Sequence, residues 1–133
     1  MNCYPFYPSD YRVEEFILDL ELYSPLKKEW IKYNNILIDT GYDGDILIPI
    51  TDFEENGFNK VLTLETDQWK AESVSGEEIR LISSFSEMKI NGSKVETLVE
   101  SFIGNNSLLV GRGILVQLIT TIDGKEKQTC IKT

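Results

Sequence analysis

The sequence predicts an all-β domain with one or two short helices, on three observations. Apolar stretches rich in Ile, Leu, Val and aromatic residues recur at strand length, as at 12–22, 28–38 and 46–48. Turn dipeptides separate extended segments: Ser75-Gly76, Asn91-Gly92 and Asp123-Gly124. Helix signals are confined to two brief segments, 52–56 and 112–118.

Each element follows in order. Residues 1–11 carry aromatic residues and prolines and read as an extended arm. Residues 12–22 alternate loosely through Val13, Phe16, Leu18, Leu20 and Leu22, and Ser24-Pro25 ends the strand. Residues 28–38 form a second strand whose last part is apolar on both faces and therefore central. Gly41 and Gly44 mark a tight loop. Ile46-Leu47-Ile48 is a short buried strand ended by Pro49. Thr51-Asp52-Phe53-Glu54 has the capping-box pattern, and Gly57 sits where that helix stops.

Residues 61–65 and 68–74 read as strands, and 69–84 as a hairpin about Ser75-Gly76. Asn91-Gly92, between Met88-Lys89-Ile90 and Val95-Glu96-Thr97-Leu98-Val99, is the strongest hairpin signal in the chain. Gly104-Asn105-Asn106 is a loop, a strand precedes the 112–118 helix, and Asp123-Gly124 marks a last hairpin.

Composition bounds the function. The 133 residues make a single domain spanning 1–133, long enough to bury a core. Thirteen basic against twenty-two acidic residues give a net charge of −9, which repels a phosphate backbone and argues against nucleic-acid binding. There is no histidine. That excludes Ser-His-Asp and Cys-His catalysis and the common zinc sites, and leaves acid–base chemistry to Asp and Glu. Cys3 and Cys130 lie near opposite termini; they pair if the termini meet, but two free thiols in a reducing compartment are the expectation. No apolar run has the length of a membrane span, and the N-terminus lacks a basic and then apolar leader, so a cytoplasmic location is expected.

The most informative tract is Asn35-Ile36-Leu37-Ile38-Asp39-Thr40-Gly41-Tyr42-Asp43-Gly44. A buried strand ends in an acid, a hydroxyl and a permissive glycine. One carboxylate is a poor hydrolytic machine. Two of them about 3 Å apart cannot both ionise, so they share a proton and act as base and acid together. The chain has one Asp-Thr-Gly, so a second Asp39 has to come from a second subunit across a two-fold axis. Thr40 would lock the two strand ends, and Gly41 would let a substrate backbone approach. Read alone, the loop also fits an Asx turn in which Asp39 caps its own backbone.

Leu108-Leu109-Val110-Gly111-Arg112-Gly113-Ile114-Leu115 repeats the logic: an apolar strand ends in glycine, then a cation and a short apolar helix. Arg112 is expected to pair with Asp43, or else to sit solvated at the helix start.

These two tracts, in this order and 70 residues apart from Gly41 to Gly111, resemble the retropepsin-like aspartic proteases, most closely the small single-domain bacterial and archaeal members. The likeness extends over roughly 12–130. It implies a closed β-barrel-type domain acting as a two-fold homodimer, with terminal strands at the interface. It implies catalytic roles for Asp39, Thr40 and Gly41, and substrate contacts from Gly41, Tyr42, Asp43 and Gly44. It makes Asp43 and Arg112 an ion pair beneath the site, and the hairpin with Val74, Ser75 and Gly76 a flap over bound peptide. The implied activity is peptide-bond hydrolysis on a peptide or unfolded-protein substrate. Tyr42 stands where retroviral members have Ala or Ser, so the adjoining pocket is shaped differently.

No cofactor, metal or membrane is implied. Asp39, Asp43 and Asp45 do not follow the EF-hand ligand order. Trp30 and Trp69 read as packing residues. Two other readings of the same fold stay open: a dimeric peptide-binding module without turnover, and an assembly domain in which the Asp-Thr-Gly loop is a dimer clasp.

Overall fold

The computed structural model describes residues 1–8, 14–60, 70–72 and 78–133. In chain order the elements are β1 (Asn2–Pro5), β2 (Ile17–Ser24), β3 (Glu29–Ile38), β4 (Ile46–Leu47), α1 (Ile50–Glu55), a 3-10 turn (Phe58–Lys60), β5 (Lys70–Glu72), β6 (Glu78–Arg80), β7 (Ile82–Ile90), β8 (Ser93–Ser101), β9 (Leu109–Val110), α2 (Arg112–Leu115), β10 (Ile119–Asp123) and β11 (Gln128–Lys132). Strands β2-β3-β9-β4-β8-β7 close a barrel, the closed β-barrel-type domain that the resemblance implied. Strands β1-β11-β10 form a separate three-stranded sheet, and β5 pairs with β6.

The barrel interior is apolar. Leu18, Leu22, Ile36, Ile46, Ile48, Phe53, Met88, Ile90, Val99 and Ile114 have no exposed surface. Each is worth about 1.5–3 kcal/mol on transfer from water. Phe53, on α1, packs against Phe58 with ring centroids 5.6 Å apart, so the short helix plugs one side of the core.

Strand β9 is the topological key. It lies between β3, to which it is parallel (Leu37↔Leu109, Ile38↔Val110), and β4, to which it is antiparallel (Ile46↔Val110, Leu47↔Leu109). The 39–45 connection therefore passes across the end of β9. Strand β4 also runs parallel to β8, with Ile46 opposite Val99 and Leu47 opposite Glu100.

The turns follow the predicted chemistry. Asn91 (φ 52°) and Gly92 (φ 79°) both take the left-handed conformation that a two-residue hairpin needs, and join Ile90 to its partner Ser93. Gly57 has φ 79° just past α1. The last hairpin is wider than a two-residue turn: Asp123 pairs with Gln128, and Asp123 Oδ1 accepts the backbone N–H groups of Lys125 and Glu126 at 3.0 Å each.

Three expectations are corrected. The capping box does not form: the helix starts two residues earlier, at Ile50, with Pro49 (φ −54°, ψ 144°) as N-cap and Thr51 inside it, because proline sets the entry dihedral itself. The 12–22 strand begins at Ile17, preceded by an isolated bridge between Tyr7 and Glu15. The two thiols are not free: Cys3 and Cys130 are joined in a disulfide. The cause is register, since the arm folds back as β1 onto β11 and sets Cys3 directly opposite Cys130. The strands expected at 61–65 and 68–74 fall largely outside the described residues; β5 covers 70–72. No helix among the described residues is long and apolar enough to cross a membrane.

Candidate active site

The parallel pairing of β3 and β9 brings both motif tracts out at one end of the barrel. The Asp39 N–H donates to the Val110 carbonyl at 2.9 Å, extending the ladder to the acid itself. Asp39 Oδ1 accepts the Gly41 N–H at 2.9 Å, and the Asp39 carbonyl accepts the Tyr42 N–H at 3.2 Å. The Asx-type bond of the loop is thus real, and it fixes the carboxyl at the strand mouth.

The returning loop is laced to the second tract. Arg112 N–H donates to the Tyr42 carbonyl at 2.8 Å, Gly111 N–H to the Asp45 carbonyl at 2.9 Å and Gly113 N–H to the Gly44 carbonyl at 3.0 Å. Glycine at 111 is a packing requirement: a Cβ there would collide with the Gly44 carbonyl and the Tyr42 backbone and ring. Asp45 Oδ2 accepts the Leu98 N–H at 2.8 Å, tying the loop to β8.

A cavity of about 710 Å³ opens beside this loop. Asp39, Gly41, Tyr42, Asp43, Gly44, Asp45 and Arg112 line it together with Leu47, Ile79, Leu81, Leu98, Glu100 and Phe102. Its size and mixed lining suit a segment of extended peptide. Thr40 and Gly41 are exposed and Asp39 is half-buried. Asp43 and Arg112 share the cavity rim, both exposed, but the ion pairs among the described residues include none between them. Their link is the backbone bond from Arg112 to Tyr42. Val74, Ser75 and Gly76 lie outside the described residues. Among the described residues, β5 and β6 pair with Lys70 opposite Arg80 and Glu72 opposite Glu78.

The residue that sequence reading missed is Glu100. It is 3% exposed, yet it lines the cavity. Tyr42 Oη donates to Glu100 Oε1 at 2.5 Å, and Ser83 Oγ to Oε2 at 3.4 Å. Burial pushes the Glu100 carboxyl above its ordinary pKa; the two hydroxyl donors pull the other way, and the charges of Asp45 and Asp43 add to the rise. Burial, and then the Glu100 charge, hold the Tyr42 phenol far above its usual value, so it is a hydrogen-bond donor throughout the working range. One signal was available: a lone acid in Leu98-Val99-Glu100-Ser101-Phe102, in strand phase with Leu98 and Phe102. Among the described residues, no three carboxylate or cysteine side chains converge to hold a metal ion.

No family model matches the chain, and no curated protein does. Among solved structures it is similar to EIAV protease complexed with the inhibitor HBY-793, with a TM-score of 0.53 and 13% identity over 84% of this chain and 93% of that one. At that identity the likeness is one of fold: this chain is an all-β closed barrel of retropepsin-like type, with Asp39 and Gly111 at its paired strand ends.

Proposed function

We propose that the chain is an aspartic endopeptidase that works as a homodimer. The observation that carries this is the Asp39 carboxyl at the paired ends of β3 and β9, on the wall of a peptide-sized cavity in a retropepsin-like barrel. One protomer supplies one carboxyl, so the reaction requires a second copy. The edge of β10 that is unpaired among the described residues, with Ile119 and Ile122 exposed, offers that copy a strand to pair with. An extended peptide would lie across both cavities beneath the two β5–β6 hairpins, adding backbone hydrogen bonds as a strand.

With one Asp39 ionised and its partner protonated, the ionised member takes a proton from water. That water attacks the scissile carbonyl, and the protonated member donates to the carbonyl oxygen. The tetrahedral intermediate collapses as the leaving nitrogen takes a proton from the pair. Activity then requires the half-protonated pair, so the optimum is expected at acid to mildly acid pH. The hydroxyl of Thr40 and the backbone of Gly41 sit next in the chain to brace the loops and to meet the substrate.

The test is cleavage of an unstructured peptide library from pH 3 to 7, read by mass spectrometry. Wild type and Asp39→Asn run side by side, with sedimentation establishing that both are dimers. Cleavage by wild type and a loss of about 10³-fold or more in Asp39→Asn is the expected result. Equal rates would sink the enzyme. Binding without turnover by two intact dimers would instead favour a peptide-binding module, as would the Tyr42 side chain if its bulk beside Asp39 keeps out the attacking water.

A further inference from the structure

The Tyr42–Glu100 pair is a hydrogen-bonded polar structure in the cavity that the proposed reaction leaves unused. Tyr42 follows Asp39 by three residues, and its ring does not point into solvent. A Cβ at Gly44 would collide with the Tyr42 hydroxyl and with Glu100 Oε1, and a Cβ at Gly111 with the Tyr42 ring. The ring therefore packs against two glycines, one on each motif tract. Its hydroxyl reaches across to β8, where Glu100 holds it at 2.5 Å and Ser83 holds Glu100 in turn. The tyrosine is clamped at its backbone by Asp39 and Arg112 and at its tip by a buried carboxyl. A ring fixed at both ends cannot swing aside for an incoming side chain, as a free aromatic rotamer would.

We propose that Tyr42 is the specificity-determining wall of the pocket beside Asp39, with Glu100 as its positioning residue, and that this pocket takes a small side chain (Gly, Ala or Ser) and rejects Leu and Phe. The inference rests on the reading of the cavity as a peptide site. The apolar remainder of the lining, Leu47, Leu81, Leu98 and Phe102, would otherwise suit a large aliphatic or aromatic group; in this proposal the fixed phenol, which shares that lining, is what shortens the pocket. Overpacking against a close-packed wall is penalised steeply, so size selectivity needs no further element.

One fixed unstructured peptide is varied at each position in turn through Gly, Ala, Leu and Phe. Cleavage is measured with the wild type, and binding is measured by calorimetry with Asp39→Asn, which does not depend on turnover. The expected result is one position at which Gly and Ala outperform Leu and Phe by about tenfold or more in the wild-type lining. Tyr42→Ala abolishes or inverts that preference, Glu100→Ala weakens it, and Glu100→Gln, whose amide oxygen still accepts from the phenol, restores it. Should Tyr42→Ala not fold, Tyr42→Leu keeps apolar contact with Gly111 without reaching Glu100 and is read in its place. Size-selective binding without cleavage upholds the wall and removes the protease. An unchanged size profile in the Tyr42 variant overturns the wall while leaving the protease standing, and absence of binding to any peptide overturns it as well.

Discussion

Strands β4 and β8 present two faces, and the faces obey different rules. Ile46 and Val99 are opposite one another and fully buried in the barrel core. The next pair, Leu47 and Glu100, turns to the other side and lines the cavity. Along β8 and beyond, Leu98, Glu100 and Phe102 share that cavity face by strand alternation. The core face is uniformly apolar at this point, while the cavity face mixes aliphatic side chains with a buried acid. The core face secures the fold. The cavity face accepts a buried carboxyl whose desolvation its hydroxyl donors Tyr42 and Ser83 partly offset, which is expected where a site rather than stability fixes the residue.

The largest test of that division compares neighbours on β4. Ile46→Ala leaves a hole in a close-packed core and is expected to lower stability by about 2–5 kcal/mol. Leu47→Ala should cost clearly less, because its side chain fronts a cavity that water can enter. Urea unfolding of the two variants gives the comparison, and equal losses would mean that the cavity face is as much part of the core as the other.

A smaller effect is expected at the glycines. Gly44→Ala pushes a methyl into the Tyr42 hydroxyl and Glu100, with a loss of about 1–3 kcal/mol. Gly124→Ala, in the last hairpin, meets no atom within 4 Å and should change stability by no more than about 0.5 kcal/mol. Thermal unfolding separates the two. If Gly44→Ala proved as neutral as Gly124→Ala, the Tyr42 ring would not be held against the loop, and the wall proposed for the pocket would go with it.

The sequence disclosed what is local. Asp39 to Gly44 and Gly111 to Leu115 were legible because an apolar run, an acid or cation and a glycine lie within a few residues. Asn91-Gly92 was legible because its dihedrals are set by its own two residues. Glu100 was not, since its role depends on β8 running parallel to β4, with Tyr42 58 residues away along the chain. The Cys3–Cys130 pairing spans 127 residues and is decided by the register of β1 on β11, which no local pattern encodes. The expected Asp43–Arg112 ion pair had the right neighbours, but backbone hydrogen bonds fix that corner, and both side chains remain exposed at the rim.

The finest test of the two faces is pH. Folding raises the Glu100 pKa, chiefly through burial, so the native state holds this proton more tightly than the unfolded chain does. Between the unfolded and the folded value the native state binds more protons, and stability falls as pH rises. The contribution is complete below the ordinary glutamate value of 4.5 and is lost as pH climbs through the folded one. Glu100→Gln removes this titration while keeping an acceptor for the Tyr42 phenol. The difference in melting temperature, wild type minus Glu100→Gln, should therefore decline from acid toward neutral pH. The core variant Ile46→Ala should track wild type with a constant offset, because no proton is linked to that face. A flat difference for Glu100→Gln would mean that the carboxyl is better solvated or better paired than its burial implies, and the contrast between the two faces would reduce to one of packing.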